Sequence, residues 1–226
     1  MATGTKAKAK TSLASALKAL ERHASAHTRA QMPRYGIVTK DRVFGVSMGN
    51  VQIVAKSIGP DHTLAEQLWR SKIYEGRMLA AFIDDPALVT PAQMDRWAKD
   101  FDNWAACDTA CFKLFDRTPH AFAKIRKWAI ARDEFVKRAA FALLASCALH
   151  HKKMPDAEFL AFLPLTARAA SDERNFVKKS VSWALRGIGK RAGARADVVK
   201  LAKRLALSEN ATERWIGKDV LRGLKA

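Results

Sequence analysis

A repeat of helical segments constrains the fold of this chain more than any other feature of its sequence. The heptapeptide EFVKRAA, which begins at Glu134, resembles NFVKKSV, which begins at Asn175, so that Phe135 and Phe176 lie 41 residues apart. A fainter third copy, RWIGKDV, places Trp215 another 39 residues along the chain. Two helices in each unit of about 40 residues are typical of HEAT-type repeats, which stack side by side. The sequence therefore predicts an all-α solenoid, unless the similarity arises by accident among helices rich in lysine and alanine.

The helical pattern begins at Ser12 and continues along the chain, and no strand pattern or hairpin turn interrupts it. Thr90 followed by Pro91 is a typical helix start, and Asp61 or Thr63 can cap an earlier helix. Residues 31–50 contain one proline and three glycines, which predicts loop and short helix. The helices predicted in the second part of the chain are Pro91–Lys99, Asn103–Phe115, Pro119–Ile130, Glu134–His151, Pro155–Ala170, Asp172–Lys190, Arg195–Leu207 and Thr212–Leu224.

The segment FDNWAACDTACFKLF, residues 101–115, carries the strongest indication of a functional site. As one continuous helix it would place Phe101, Trp104, Asp108, Cys111 and Phe115 on a single face. Four of these residues are apolar or aromatic, and an unpaired carboxylate on a packed face costs considerable free energy. Asp108 must therefore face a cation, line a cleft in which its charge is used, or lie half-exposed on the rim of an ordinary core helix.

The charge of the chain indicates a polyanionic partner, because Lys and Arg number 40, Asp and Glu number 22, and the formal net charge is +18. Two copies of the repeat begin with equivalent cations, Lys137-Arg138 and Lys178-Lys179, which stacked repeats would align on one wall of a concave basic groove. Trp183 follows one turn later among small residues, which suits a surface where a sugar or base rests against the ring. The alternatives are a generally basic soluble protein and a tryptophan packed between helices.

Several classes of function find no support in the sequence. It contains no Walker loop, GxGxxG, GxSxG or HExxH motif. Cys107, Cys111 and Cys147 form no CxxC pair, and we expect three reduced, mostly buried thiols. No apolar run is long enough to span a membrane, and the N-terminus has no apolar signal region. We expect a flexible basic tail at residues 1–11 and a single domain at residues 12–226.

Several short segments, taken together in their order and spacing, resemble the AlkD-type alkylpurine DNA glycosylases, a family of HEAT-like-repeat DNA alkylation repair enzymes. The resemblance extends roughly from Tyr35 to Leu224. The segments that carry it are Tyr35-Gly36, Phe44–Ser47, Leu64–Trp69, Glu75–Ala80, Trp104 with Asp108, Phe135–Ala140 and Phe176–Arg186.

The resemblance implies a reaction and a set of residues. The family excises cationic N3- and N7-alkylated purines from double-stranded DNA, with no metal or cofactor. Asp108 matches its catalytic carboxylate, Trp104 and Trp183 match aromatics that contact the deoxyribose of the lesion, and Arg138 matches a residue that holds the nearby DNA backbone. Tyr35 matches a further residue of the cleft. We accordingly expect a cytoplasmic monomer that joins the nucleoid when it binds DNA and has no membrane partner.

Two positions depart from the family pattern. The family often has two consecutive tryptophans where this chain has Asn103-Trp104, and it often has a glutamine close to the position of Ser47. Both departures imply a recognition or substrate range that is narrower or different. The predicted DNA-binding residues are Tyr35, Ser47, Lys137, Lys178 and Lys179.

The chemistry of the implied reaction agrees with these residue types. Alkylation at N3 or N7 makes the purine cationic, so the base leaves as a neutral molecule without a general acid. Charge then develops on the sugar as an oxocarbenium-like species. A carboxylate at Asp108 would stabilise this cation and orient or deprotonate the attacking water, and the tryptophan faces would offer it a negative quadrupole. Arg138 would anchor a phosphate and influence the ionisation of Asp108.

Three functions of different class remain open: a glycosylase, a non-catalytic HEAT-repeat protein that binds distorted or branched DNA, and a protein-binding scaffold. Asp108 within a basic groove that also holds both tryptophans favours the first. Asp108 buried in a salt bridge away from that surface would favour the other two.

Overall fold

The computed structural model of the protein describes residues 10–226, and nearly all of its regular structure is helical. Apart from one isolated bridge between Arg42 and Ile73, these residues contain no β-structure, so the predicted all-α class is confirmed. None of the described helices is both long enough and apolar enough to cross a membrane. The predicted tail, residues 1–11, lies outside the described residues except for Lys10 and Thr11.

The described residues form two compact units, and the prediction of a single domain over residues 12–226 stays a prediction. Residues 10–35 and 40–85 form the first unit, and residues 36–39 and 86–226 form the second. The first unit contains α1 (Leu13–Glu21), α2 (Ala26–Gln31), a 3₁₀ helix (Met32–Tyr35), α3 (Met48–Ile58), α4 (His62–Arg70) and α5 (Tyr74–Ile83). Asp61 caps α4, because its Oδ1 accepts a hydrogen bond from the backbone N–H of Leu64 at 2.9 Å.

A buried carboxylate organises the first unit. Glu75 is fully buried, and its two oxygens accept hydrogen bonds from the backbone N–H groups of Phe44, Gly45 and Val46 at 2.7 to 3.0 Å. Gly45 adopts a φ of +84°, and a Cβ there would lie 2.2 Å from the backbone oxygen of Ser25, so only glycine fits this position. Glu75 thereby fixes the loop that leads into α3.

The second unit contains nine α-helices and two 3₁₀ helices. They are α6 (Pro91–Lys99), α7 (Trp104–Lys113), a 3₁₀ helix (Phe115–Arg117), α8 (Ala121–Trp128), α9 (Glu134–His150), α10 (Asp156–Leu160), α11 (Leu163–Ala169), α12 (Asn175–Gly189), a 3₁₀ helix (Ala192–Ala194), α13 (Arg195–Ala206) and α14 (Ala211–Leu224). Thr90 caps α6 as predicted, since its hydroxyl accepts a hydrogen bond from the N–H of Gln93 at 3.1 Å.

The helices of the second unit pack in two layers. α7, α9, α12 and α14 lie side by side in that order, while α8 packs on α9, α11 on α12, and α13 on α12 and α14. The equivalent aromatics of two successive repeats touch, with the ring centroids of Phe135 and Phe176 5.2 Å apart. Each repeat therefore contacts its neighbour through the same position, as expected for stacked units.

Several predicted helices differ from the observed ones by a few residues, and two of the differences change how the chain is interpreted. The single helix expected at Pro155–Ala170 is divided into α10 and α11, because Pro164 at the start of α11 has no N–H to continue the hydrogen bonds of α10. The helix expected at Asn103–Phe115 is shorter at both ends. Phe101 precedes α7 and Phe115 follows it, so the predicted five-residue face does not exist as one helical face.

Candidate functional site

Helix α7 presents a half-buried stripe at four-residue spacing, formed by Trp104, Asp108 and Phe112. The helix begins where it does because the Asn103 side chain accepts a hydrogen bond from the N–H of Ala106 at 3.0 Å. The departure from the family pattern at Asn103 therefore has a structural reason, because a tryptophan could not cap the helix in this way.

Two thiols next to this stripe pack against α9. Cys107 and Cys111 are fully buried, and their Sγ atoms lie 3.7 and 3.6 Å from the backbone oxygens of Phe135 and Ala139. Burial, followed by the hydrogen bond and charge of Cys107, raises the pKa of Cys111 well above its ordinary value. These cysteines and Cys147 are free and buried, as predicted. They serve as helix-packing residues that hold α7 in register with α9.

Asp108 forms a bidentate ion pair with Arg138 of α9. Its Oδ1 accepts a hydrogen bond from Nε at 2.9 Å and its Oδ2 accepts one from Nη2 at 2.6 Å. Arg138 also donates from Nη1 to the backbone oxygen of Phe176 at 2.9 Å, so one guanidinium links α7, α9 and α12. The fork geometry of arginine suits a carboxylate held by two parallel bonds.

Burial and the ion pair act on Asp108 in opposite directions. Burial raises the pKa of Asp108 and the charge and hydrogen bonds of Arg138 lower it, and the net pKa is raised. Burial lowers the pKa of Arg138, but Asp108 more than offsets it, so that this guanidinium stays charged. The Asp108 and Arg138 side chains are 14% and 7% exposed, so Asp108 keeps a small exposed fraction while Arg138 is almost enclosed.

Trp104 lies next to the same ion pair. Trp104 lies one turn before Asp108 on α7. Gly36 lies close to both Trp104 and Phe176, because a Cβ built on Gly36 would be 3.9 Å from Trp104 Nε1 and 3.9 Å from the Phe176 ring. The Phe176 ring in turn lies 5.9 Å from the guanidinium of Arg138. The segment 36–39 is held there by a hydrogen bond from the hydroxyl of Thr39 to Asp102 at 2.9 Å.

Trp183 of α12 lies in the same region, and the ring of Phe112 stacks on one face of its ring. The two rings are 4.7 Å apart between centroids and inclined by 10°, which is a stacked pair. A first cleft of about 450 Å³ is lined by Arg138, Lys179, Trp183, Arg186, Trp215, Asp219, Arg222 and Gly223. Arg138 and Trp183 thus face one cleft, and Asp108 binds the arginine of that cleft.

The predicted lysines have three different surroundings. Lys137 donates to Asp172 at 2.8 Å, and hydrogen bonds from Arg174 and then from Lys137 hold the pKa of that carboxyl below its ordinary value. Lys178 lies over the ring of Trp215, 5.3 Å from its centroid. Lys179 is exposed and lines the first cleft. The charge of Lys137 is therefore largely satisfied inside the protein, whereas that of Lys179 is open to a ligand.

Tyr35 and Ser47 belong to the first unit, and both are exposed there. Tyr35 ends the 3₁₀ helix, and its side chain is prominent at 68% exposure. Ser47 caps α3 by accepting a hydrogen bond from the N–H of Asn50 at 3.3 Å. The second departure from the family pattern is therefore also a helix cap, at a position where glutamine would cap poorly. The DNA-binding roles of Tyr35 and Ser47 stay predictions.

Sequence reasoning missed two residues of this region, Phe112 and Arg186. Phe112 follows Asp108 by four residues, and that spacing alone could have indicated it. Arg186 is held by Asp219 and Ser182, and nothing in the local sequence indicates that contact. Within residues 10–226, no group of three or more His, Cys, Asp or Glu side chains is placed to hold a metal ion.

Comparisons with known proteins show the family and the fold of this chain. Residues 16–210 match the profile of a family described as DNA alkylation repair enzyme. A solved structure described as a new family of proteins related to the HEAT-like repeat DNA glycosylases, with affinity for branched DNA structures, is similar with a TM-score of 0.78. The identity is 18%, and the match covers 94% of this chain and 95% of that one.

A second solved structure, of an engineered protein, matches less well, with a TM-score of 0.37 and 16% identity over 80% of this chain and 68% of that one. No curated protein matches this chain at a significant level. The predicted HEAT-like fold is confirmed by the first structure. The chain belongs to the family of DNA alkylation repair enzymes.

Proposed function

We propose that the protein is a monofunctional DNA glycosylase that hydrolyses the N-glycosidic bond of cationic N3- or N7-alkylated purines in duplex DNA. The observation that carries this proposal is the Asp108 carboxylate, whose side chain keeps a small exposed fraction and is held by Arg138, a lining residue of the cleft that Trp183 also lines. In this proposal the protein acts as a monomer in the cytoplasm, on the nucleoid, and uses no metal or cofactor.

The ion pair leaves the carboxylate able to act. Each oxygen accepts one hydrogen bond from Arg138, and an ionised carboxylate has about four lone-pair positions in total. The remaining positions can face the positive charge that develops at C1′ as the C1′–N bond breaks and its electron pair leaves with the base. Water then adds to C1′ and gives its proton to Asp108 or to solvent. Arg138 fixes the carboxylate so that little reorganisation is needed during the reaction.

The surrounding residues supply the rest of the proposed site. Three of the five N–H groups of Arg138 are used inside the protein, which leaves two for a DNA phosphate. Trp183 is supported on one face by Phe112, so that its ring is held in a fixed plane. Trp104 lies one turn from Asp108 on the same face of α7. Both rings could stabilise a sugar cation through their quadrupoles.

The test is the release of free 7-methylguanine from methylated duplex DNA under single-turnover conditions. We expect Asp108→Asn to lower the rate by about 10² to 10³, which is typical for removal of one preorganised electrostatic partner. Asp197→Asn changes the same chemical group at an exposed position on α13 and should leave the rate unchanged. Trp104→Ala and Trp183→Ala should cost less, because a desolvated cation–π contact contributes only about 2 kcal/mol. Wild-type excision by Asp108→Asn would refute the assigned chemistry.

A second candidate function is binding of distorted or branched DNA without excision. The bidentate ion pair supports it, because a carboxylate can be held by arginine for structural reasons alone. The similar solved structure is described as having affinity for branched DNA, which makes the same activity a reasonable hypothesis here. The methylpurine assay separates the two candidates, since tight DNA binding with no release of base by the wild-type protein would favour the second.

A further inference from the structure

A second cleft lies beside the first and has no role in the proposed reaction. Its volume is about 660 Å³, and it lies between the C-terminal halves of α9 and α12. Trp183 and Arg186, one turn apart on α12, line both clefts and form the ridge between them. Three small residues of these two helices also line the second cleft: Ala145, Ala148 and Gly187.

The second cleft contains cations that the protein does not neutralise. Arg191 is paired with Asp156 at 2.7 Å, so these two lining charges cancel. Lys152 and Lys190 are exposed, and within residues 10–226 neither has a carboxylate partner. Two uncompensated ammonium groups in one cleft favour an anionic ligand with more than one charge.

An aromatic wall lines the same cleft as these cations and is rigidly supported. Phe112 stacks on Trp183, and the ring of His150 meets Phe112 edge-on at 5.8 Å between centroids. His150 is in turn fixed by a hydrogen bond between its Nδ1 and the buried carboxylate of Asp116, which also accepts one from Ser146 at 2.6 Å. A preorganised aromatic wall binds planar groups at a low entropic cost.

We propose that the second cleft binds a nucleotide of an unpaired DNA strand, one that leaves the duplex next to the first cleft. Its base lies against the Phe112–Trp183 wall, and its flanking phosphates contact Lys152 and Lys190. The inference rests on the proposed DNA-binding function and extends it to a class of DNA with an extrahelical strand.

The dimensions and the chemistry of the cleft both fit this ligand. A volume of 660 Å³ lies within the range of about 300 to 1,000 Å³ that is usual for small-molecule sites. A paired base cannot enter such a cleft, because it is held inside the stack until it is extruded. The ridge of Trp183 and Arg186 would separate the duplex on one side from the unpaired strand on the other.

The first test compares three labelled DNAs by equilibrium binding over a series of salt concentrations: a duplex, the same duplex with a short single-stranded flap, and the same flap without bases. Each phosphate contact on a single strand adds about 0.7 to the slope of log affinity against log salt. Two lysine contacts should therefore make the flap slope steeper than the duplex slope by about 1.4. The flap without bases should bind about fivefold or more weakly than the intact flap, because stacking is lost.

The second test uses a double variant with a matched control. Lys152→Ala with Lys190→Ala should abolish the additional slope and reduce the preference for the flap to the part that stacking contributes. Lys200→Ala with Lys203→Ala removes the same charge from exposed positions of α13 and should preserve both. All four lysines are exposed, and thermal unfolding of each variant should match that of the wild type, so that a changed slope reports binding.

The outcomes separate this inference from the proposed reaction. Equal affinity and slope for flap and duplex would overturn the nucleotide site, as would equal binding of flaps with and without bases or no effect of the double variant. Excision of methylpurine from fully paired DNA by the wild-type protein is measured separately. Failure of that excision with an intact flap preference would refute the proposed reaction and leave the second cleft as assigned.

Discussion

At the residue scale, the carboxylate of Asp108 is subject to two opposing influences. Burial raises its pKa, and the charge and hydrogen bonds of Arg138 lower it. Burial prevails, so the acid form persists to higher pH than in an exposed aspartate. Only the ionised form can stabilise a cationic sugar. The proposed reaction should therefore fail in acid at a pH above the ordinary aspartate value of about 3.9.

The role of Arg138 can be measured from the acid limit of the reaction, that is, the pH below which the single-turnover rate falls. Arg138→Ala removes the influence that lowers the pKa of Asp108, so the limit in the single-turnover rate should move to higher pH. Arg138→Lys keeps the charge without the fork and should give an intermediate limit. Lys137→Ala, on the same helix, removes a partner of Asp172 and should leave the limit in place. An unchanged limit in both Arg138 variants would show that Arg138 does not position or tune the carboxylate.

Sequence analysis brought Asp108 and Arg138 together but not the stacking of Phe112 on Trp183. Asp108 and Arg138 could be identified because their residue types and spacing resemble a known pattern, and the structure places them in direct contact. The four-residue spacing from Asp108 could have placed Phe112 on the same face, but its stacking on Trp183 could not be predicted, since that contact joins two helices that are remote in sequence. The capping of α7 by Asn103 was also hidden, because it depends on where the helix begins.

At the element scale, close contact between α13 and α14 depends on a glycine. A Cβ at Gly217 would lie 2.3 Å from the backbone nitrogen of Ala206 and 2.6 Å from the backbone oxygen of Ala202. Both are backbone atoms, so one helix would have to move away from the other. Gly187 of α12 differs, because a Cβ there would meet Ala145 and Ala148 at 3.5 Å, which is ordinary contact.

These two glycines give a matched prediction for stability. Gly217→Ala should lower the free energy of unfolding by about 1 to 3 kcal/mol through overpacking, despite the better helix propensity of alanine. Gly187→Ala should leave it unchanged or raise it by up to about 1 kcal/mol, because propensity improves without a clash. Urea unfolding of the three proteins measures both effects. A stabilised Gly217→Ala variant would show that α13 and α14 are packed less closely than the structure indicates.

Helix positions were predictable from sequence where local chemistry determines them. α6 has the predicted bounds, and Thr90 with Pro91 starts it through a side-chain cap and a proline that needs no N–H partner. The division between α10 and α11 was missed because apolar spacing continues across it, although Pro164 supplies a local signal. The second layer of the repeat is therefore less regular than the layer of α7, α9, α12 and α14.

At the scale of the whole molecule, 40 Lys and Arg side chains face 22 Asp and Glu side chains, so even complete ion pairing would leave 18 positive charges without an acidic partner. Lys137 and Arg174 share Asp172, and Arg186 is held by Asp219. Hydrogen bonds and the nearby arginines hold the pKa of Asp219 below its ordinary value, although its partial burial acts in the other direction. The charges that stay open to a polyanion therefore include the exposed Lys179 of the first cleft.

Affinity for undamaged duplex DNA should consequently fall steeply with salt, with a log–log slope of about −0.9 for each phosphate contact. Lys178→Ala with Lys179→Ala should flatten this slope by at most about 1.8, the value for two contacts. Lys178 lies over Trp215, and Lys179 lines the first cleft. A change in slope of about 0.9, the value for one phosphate contact, would therefore assign that contact to Lys179. The single variants Lys178→Ala and Lys179→Ala would establish this assignment, and Lys200→Ala with Lys203→Ala on α13 serves as the charge-matched control. Affinity that does not depend on salt, or no affinity for DNA, would remove nucleic acid as the partner of this protein.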